Sequence, residues 1–189
     1  MFSQLAYAKG VLDGDGYIDN QVHNRRICLE TTERKFATKF SASLESLNLK
    51  PKTTERTRYM RTLGIFSHFY TVRTSVSSDE LERIMLMNPS SIDEKISWLC
   101  GFYDSEGTLS ITRYPSRICY NWSISNTNTE LIKTLKSVLG DLGISYDYRC
   151  TRRETRVGLR HYHLTVHRVQ VQNKVGVSKL LAIMGAKFT

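Results

Sequence analysis

LAYAKGVLDGDGYIDN, residues 5 to 20, and ISWLCGFYDSEGTLSI, residues 96 to 111, decide how the chain is read. Gly10 matches Gly101, Asp13 matches Asp104, Asp15 matches Glu106 and Gly16 matches Gly107, each pair 91 positions apart. Alternating segments and then an amphipathic helical pattern follow each stretch. The first helix carries Phe36, Phe40, Leu44 and Leu47; the second carries Leu131, Leu135, Leu139 and Leu142, at an offset of 95. Four extra residues therefore lie between, and the hairpin "RYPSRICYN" (113–121) is where they are expected. Helical periodicity preserved on both sides marks an internal duplication.

The acidic run in "LDGDGYID" (12–19) looks at first like part of a calcium loop. Such a loop needs an oxygen ligand at its first position and a bidentate carboxylate at its twelfth. Placing Asp13, Asp15 and Gly16 at positions three, five and six puts Val11 first and Val22 twelfth, and neither binds a cation. The carboxylates serve another purpose.

Each half reads helix, two strands, helix, two strands, helix, an α+β pattern. The halves are taken as 1–87 and 96–189, with 88–95 as the linker. In the second half Ile118, Tyr120, Trp122 and Ile124 alternate with polar neighbours, as do Tyr146, Tyr148 and Cys150. In "LRHYHLTVH" (159–167) the same rule turns Tyr162, Leu164 and Val166 inward and His161, His163 and Thr165 outward. In the first half Ile27 and Leu29 face in, and Arg26, Cys28 and Glu30 face out. The stretch "TTERTRYMRTLGIFSHFYTVRTS" (53–75) reads as a third and a fourth strand joined near Gly64.

The net charge of +9 favours a polyanionic partner, nucleic acid or an anionic membrane surface. No apolar run has the length of a membrane span and the N-terminus lacks a leader pattern, so no membrane partner is expected. The four cysteines form no C-x-x-C pair, which argues against zinc or a disulfide framework. The expected setting is intracellular, where nucleic acid lies. His161, His163 and His167 spread over roughly 20 Å at about 3.3 Å per residue, too far for one ion.

Small residues recur every four positions in both motif helices: Ala6 and Gly10 in one, Ser97 and Gly101 in the other. They let two backbones approach closely, so the helices are expected to pair at the junction of the halves. Gly16 and Gly107 stand where a left-handed helix cap is wanted. Pairing brings Asp15 and Glu106 to adjacent helix C-termini, where each carboxylate opposes a helix dipole and another negative charge. Divalent cations would relieve the conflict, with the carbonyls of Gly14 and Ser105 as further ligands. Metals on two carboxylates beside a polyanion suit phosphodiester cleavage.

"AKGVLDGDG" (8–16) and "LCGFYDSEG" (99–107) resemble two copies of the motif that defines the LAGLIDADG homing endonucleases. The first copy departs from it at Ala8, Lys9 and Gly14, the second at Cys100, Ser105 and Glu106. The resemblance covers essentially the whole chain and matches the family's single-chain, monomeric members. It implies two pseudo-symmetric αββαββα halves, each with a four-stranded antiparallel sheet forming part of a DNA-binding saddle. It also implies Mg²⁺-dependent cleavage of double-stranded DNA at a long target site, one strand per acid, across the minor groove. Mn²⁺ or Ca²⁺ would fit the same sites. Asp15 and Glu106 are then the catalytic metal ligands. Asn126 matches the family's polar position near the attacking water, Thr32 is its approximate first-half counterpart, and Lys187 is the candidate lysine.

Base contacts from the polar strand faces are expected at Gln21, His23, Arg26, Glu30, Arg113, Arg117, Asn121, Ser123, Arg149, Arg153, His161 and His163. Phosphate contacts are expected at Arg56, Arg58, Arg61, Arg152, Arg156 and Lys174. Two alternatives share the fold: a maturase binding its host intron RNA, and a DNA-binding regulator that does not cut.

Overall fold

The computed structural model of the protein describes residues 2–21, 24–60, 64–157 and 160–185. The order is α1 (Gln4–Asp13), β1 (Tyr17–Gln21), β2 (Asn24–Thr31), α2 (Arg34–Ser46), β3 (Lys52–Met60), β4 (Ile65–Val76), α3 (Ser78–Met85). The same sequence then repeats: α4 (Ile92–Glu106), β5 (Gly107–Tyr114), β6 (Arg117–Asn126), α5 (Thr129–Asp141), β7 (Asp147–Val157), β8 (Arg160–Val171), α6 (Lys174–Gly185). Two antiparallel four-stranded sheets result, ordered β1-β2-β4-β3 and β5-β6-β8-β7. This is the α+β arrangement of two αββαββα repeats. The span from Gly107 to the end of β6 is longer than that from Gly16 to the end of β2, and the four extra residues lengthen the β5–β6 hairpin.

Compact packing divides the chain into Met1–Ser105 and Glu106–Thr189. The cut falls near the end of α4 because that helix is packed on α1, in the first unit. Ile27 and Leu29 of β2 and Val72 of β4 are fully buried with Phe40 and Leu44 of α2, and Ile84 of α3. In the second unit Trp122, Ile124, Val169 and Val171 are buried with Leu135 and Leu139 of α5 and Val177 and Leu180 of α6. Helix α3 opens with a reciprocal capping box: Ser77 Oγ accepts from the Glu80 N–H at 3.2 Å, and Glu80 Oε2 from the Ser77 N–H at 2.9 Å. Helix α4 begins at Ile92, so residues 92–95 of the expected linker are its first turn. There the Glu94 carboxylate accepts from the backbone N–H groups of Ser90 and Ser91, both at 3.0 Å.

Several facings differ from the sequence pattern. The rows of β8 are inverted: Val169 and Val171 face the helices, so His163 and Thr165 share their side while Leu164 and Val166 lie on the other. The buried half of the strand sets this register; the half extending past the helices has no core to select it. Tyr148 and Cys150 are exposed on the edge strand β7, and Ile118 is half exposed near the β5–β6 turn. Cys28 is buried, registered between Tyr17 and Arg73. Burial raises its thiol pKa.

Candidate functional site

The motif helices meet through their glycines. A Cβ on Gly10 would lie 2.2 Å from the Trp98 carbonyl oxygen, and one on Gly101 would lie 2.2 Å from that of Tyr7. Ala6, Gly10, Ser97 and Gly101 are buried, and the Ser97 hydroxyl accepts from the Ser3 N–H at 2.9 Å. Two crossed hydrogen bonds flank the glycines. Tyr7 Oη donates to Asp104 Oδ2 at 2.8 Å, and Trp98 Nε1 donates to Asp13 Oδ2 at 2.8 Å. Lys39 of α2 also pairs with Asp104, and Lys9 with Asp13. Desolvation lowers the Lys39 pKa, which the charge of Asp104 opposes. Burial raises that of Tyr7, so its hydroxyl stays a donor. The first acid of each motif is thereby occupied in joining the helices.

The second acid of each motif is in different company. Helix α1 ends at Asp13 with Gly14 as its cap, and the Gly16 N–H donates to the Val11 carbonyl at 2.9 Å. Neither Gly16 nor Gly107 takes the left-handed conformation expected of a cap. A Cβ on Gly16 would lie 2.8 Å from Leu12 Cδ2, the movable end of a side chain, and 3.0 Å from the Val11 carbonyl oxygen, so the position is tight. Asp15 follows the helix as an exposed residue. Neighbouring atoms still desolvate its carboxyl and raise its pKa. Among the described residues no hydrogen bond reaches that carboxylate.

Glu106, by contrast, accepts from Asn126 Nδ2 at 2.9 Å. Asn126 Oδ1 accepts from the Asn128 N–H at 2.8 Å, and Asn128 caps α5 by accepting from the Glu130 N–H at 2.9 Å. The first-half counterpart of Asn126 is Thr31, not Thr32. Thr31 ends β2 as Asn126 ends β6, and its Oγ1 accepts from the Glu33 N–H at 3.1 Å, the same i to i+2 bond. Thr32 is an exposed residue one step further on. The signal was in the sequence, because an offset of 95 already held for the helices that follow.

Directly paired residues on antiparallel strands share a face. On the first sheet the face away from the helices carries Arg26, Glu30, Arg56 and Arg58, joined by Lys52 and Arg73, which the sequence pattern missed. Arg58 binds Glu30 through two hydrogen bonds, 2.7 and 3.0 Å, and lies over the Phe69 ring. The corresponding face of the second sheet carries Arg117, Asn121, Ser123, Arg149 and Arg153, with Arg168 and Gln170 in addition. Ser123 is only 6% exposed, which removes it from the outer reading surface. Gln170 Nε2 and Asn121 Oδ1 are buried without a hydrogen-bond partner. Arg113, Arg152 and His163 point to the helix side instead, and Lys174 is exposed at the start of α6. His23, Arg61 and Lys187 lie outside the described residues, as do the side chains of Gln21, Arg156 and His161.

The donors available for a metal are hard oxygens: the carboxylates of Asp15 and Glu106 and nearby backbone carbonyls. They suit Mg²⁺, Mn²⁺ or Ca²⁺ rather than a thiol- or imidazole-seeking ion. No group of three or more His, Cys, Asp or Glu placed to hold a metal occurs among the described residues. No helix among them is long and apolar enough to cross a membrane.

The sequence matches the LAGLIDADG-like domain family over residues 3–86 and again over 93–183. The chain belongs to this family and carries its domain twice. An uncharacterised protein of Methanocaldococcus jannaschii is 36% identical over 155 residues, covering 78% of this chain and 57% of that protein. The chain thus spans little more than half the length of that relative. The fold is similar to the N-terminal LAGLIDADG domain of DUF199/WhiA, with a TM-score of 0.67, 13% identity, and 98% and 83% of the two chains covered. It is also similar to homing endonuclease I-DmoI, with a TM-score of 0.59, 19% identity, and 97% and 96% covered. I-DmoI structures with similar scores hold target DNA together with Mn or Mg.

Proposed function

We propose that the protein is a site-specific double-stranded DNA endonuclease of the homing type, acting as a monomer because both halves lie on one chain. The observation that carries this reading is the division of labour within the two motifs. Asp13 and Asp104 hold the helices together, accepting from Trp98 and Tyr7, whereas Trp98 and Tyr7 donate to neither Asp15 nor Glu106. Asp15 is a desolvated carboxylate with a raised pKa, a condition a bound cation relieves.

Asp15, with the Gly14 carbonyl, and Glu106, with the Ser105 carbonyl, would hold the divalent ions, water and DNA phosphate completing each shell. Such an ion lowers the pKa of an attacking water and stabilises the leaving oxygen. Asn126 fixes the Glu106 carboxylate. The basic sheet faces bind the backbone, and their exposed side chains, Arg117, Arg149 and Arg153 among them, contact base edges. The likeness to a homing endonuclease solved with its target supports DNA as the partner; intron RNA draws no such support.

The test is digestion of a large randomised duplex library with Mg²⁺ or with EDTA, beside an Asp15→Asn/Glu106→Gln double variant. Cut ends that need both Mg²⁺ and the wild-type acids, clustered at one long sequence, are the expected result. Binding without cutting, unchanged in the variant, would leave a DNA-binding protein on the same fold.

A further inference from the structure

We infer that the motif helices hold each other's reactive ends, with Tyr7 of the first helix positioning the centre that carries Glu106 and Trp98 of the second positioning the centre that carries Asp15. The inference rests on the function just proposed and adds to it two positioning residues and a crossed pattern of control. Tyr7 and Trp98 occupy equivalent places, 91 residues apart, and are 0% and 1% exposed. Each donates one hydrogen bond at 2.8 Å to the carboxylate of the opposite helix. Each acceptor, Asp104 or Asp13, stands two residues before the acid assigned to the metal. A hydrogen bond to a carboxylate in a buried setting is stronger and shorter than a neutral one.

The aromatic residue is itself pinned where it donates. The carbonyl of Trp98 meets Gly10 and that of Tyr7 meets Gly101, at contacts a single methyl group would break. Helix α1 therefore cannot shift without moving the donor that fixes the end of α4, and the converse holds. The two joints are not alike. Asp104 takes both its donors from the first half, Tyr7 and Lys39, whereas Asp13 takes one from the second half and one, Lys9, from its own helix.

Displacement of a reacting group by about 1 Å costs about a hundredfold in rate. Removing one of two donors is expected to cost about tenfold at the affected centre. The DNA for the test is the sequence recovered from library cleavage, labelled on each strand separately and cut in Mg²⁺ under single-turnover conditions. Asp15→Asn and Glu106→Gln each leave one strand cut and so assign strand to acid. Tyr7→Phe is then expected to slow the Glu106 strand about tenfold and the Asp15 strand less than twofold; Trp98→Phe gives the reverse. Both strands are cut by the same folded molecules, so partial unfolding lowers both rates together and leaves their ratio unchanged. Equal slowing of both strands, or slowing of a helix's own strand, overturns the inference and leaves the nuclease standing. Absence of cutting by the wild type overturns both. Should Trp98→Phe fail to fold, Tyr7→Phe alone decides.

Discussion

Asp15 and Glu106 occupy matching places in a duplicated chain, yet only one is held. Glu106 is tied through Asn126 and Asn128 to the start of α5, whereas no hydrogen bond among the described residues reaches the Asp15 carboxylate, and Thr31, the counterpart of Asn126, accepts from the Glu33 N–H. The difference comes down to one side chain. An asparagine at the end of β6 has a donor to spare after satisfying the next turn. Thr31 at the end of β2 accepts from the Glu33 N–H in the same way, but its shorter side chain carries one hydroxyl donor where asparagine carries a longer amide with two. Duplication thus preserved the position of each acid and let its support diverge.

The largest effect expected from breaking this comparison is on the acids themselves. Asp15→Asn or Glu106→Gln should each turn the protein into a nicking enzyme, with the affected strand slowed at least a hundredfold, comparable to loss of a transition-state contact. Strand-resolved gels check this. Next come the glycines on which both centres depend equally. Gly10→Ala or Gly101→Ala forces a methyl group onto a carbonyl oxygen and should cost about 2–3 kcal/mol of stability, read by denaturant titration. A marked difference between the two would show the helix pair to be less symmetric than its contacts.

Asn126→Ala should slow the Glu106 strand by about tenfold while sparing the other, because the carboxylate keeps its place on the helix but loses its orienting donor. Thr31→Asn sharpens the point: if support alone separates the centres, this change should bring the two strand rates closer together. The smallest effect concerns Glu94 at the start of α4. Hydrogen bonds from Ser91 and Ser90 hold its carboxyl at about 2, below the ordinary value of 4.5. A depressed folded-state pKa stabilises the fold at pH above the ordinary value, and the contribution fades as pH falls from there toward 2. Glu94→Gln should therefore lower stability slightly at neutral pH and leave it unchanged near pH 2, as measured by thermal melts across that range.

The duplication, the two acids and the element order could be read from residues alone, because a repeated motif supplies its own internal control. What escaped was decided by neighbours the sequence does not order. The facing of β8 turned on Val169 and Val171 beneath the helices, not on the cleaner alternation of Tyr162, Leu164 and Val166 further out. Arg73, Lys52 and Arg168 join the polar faces only through strand register. The roles of Asp13 and Asp104 needed partners 85 and 97 residues distant.

The reciprocal contact of each glycine with a carbonyl of the opposite helix also constrains descent. In a pair of separate identical chains, one mutation alters both sides of such a joint at once. In a fused chain each side mutates alone, and any enlargement on one side meets an unyielding carbonyl on the other. The sheets were free to drift into different lengths and charges, but the two motif helices could change only in step.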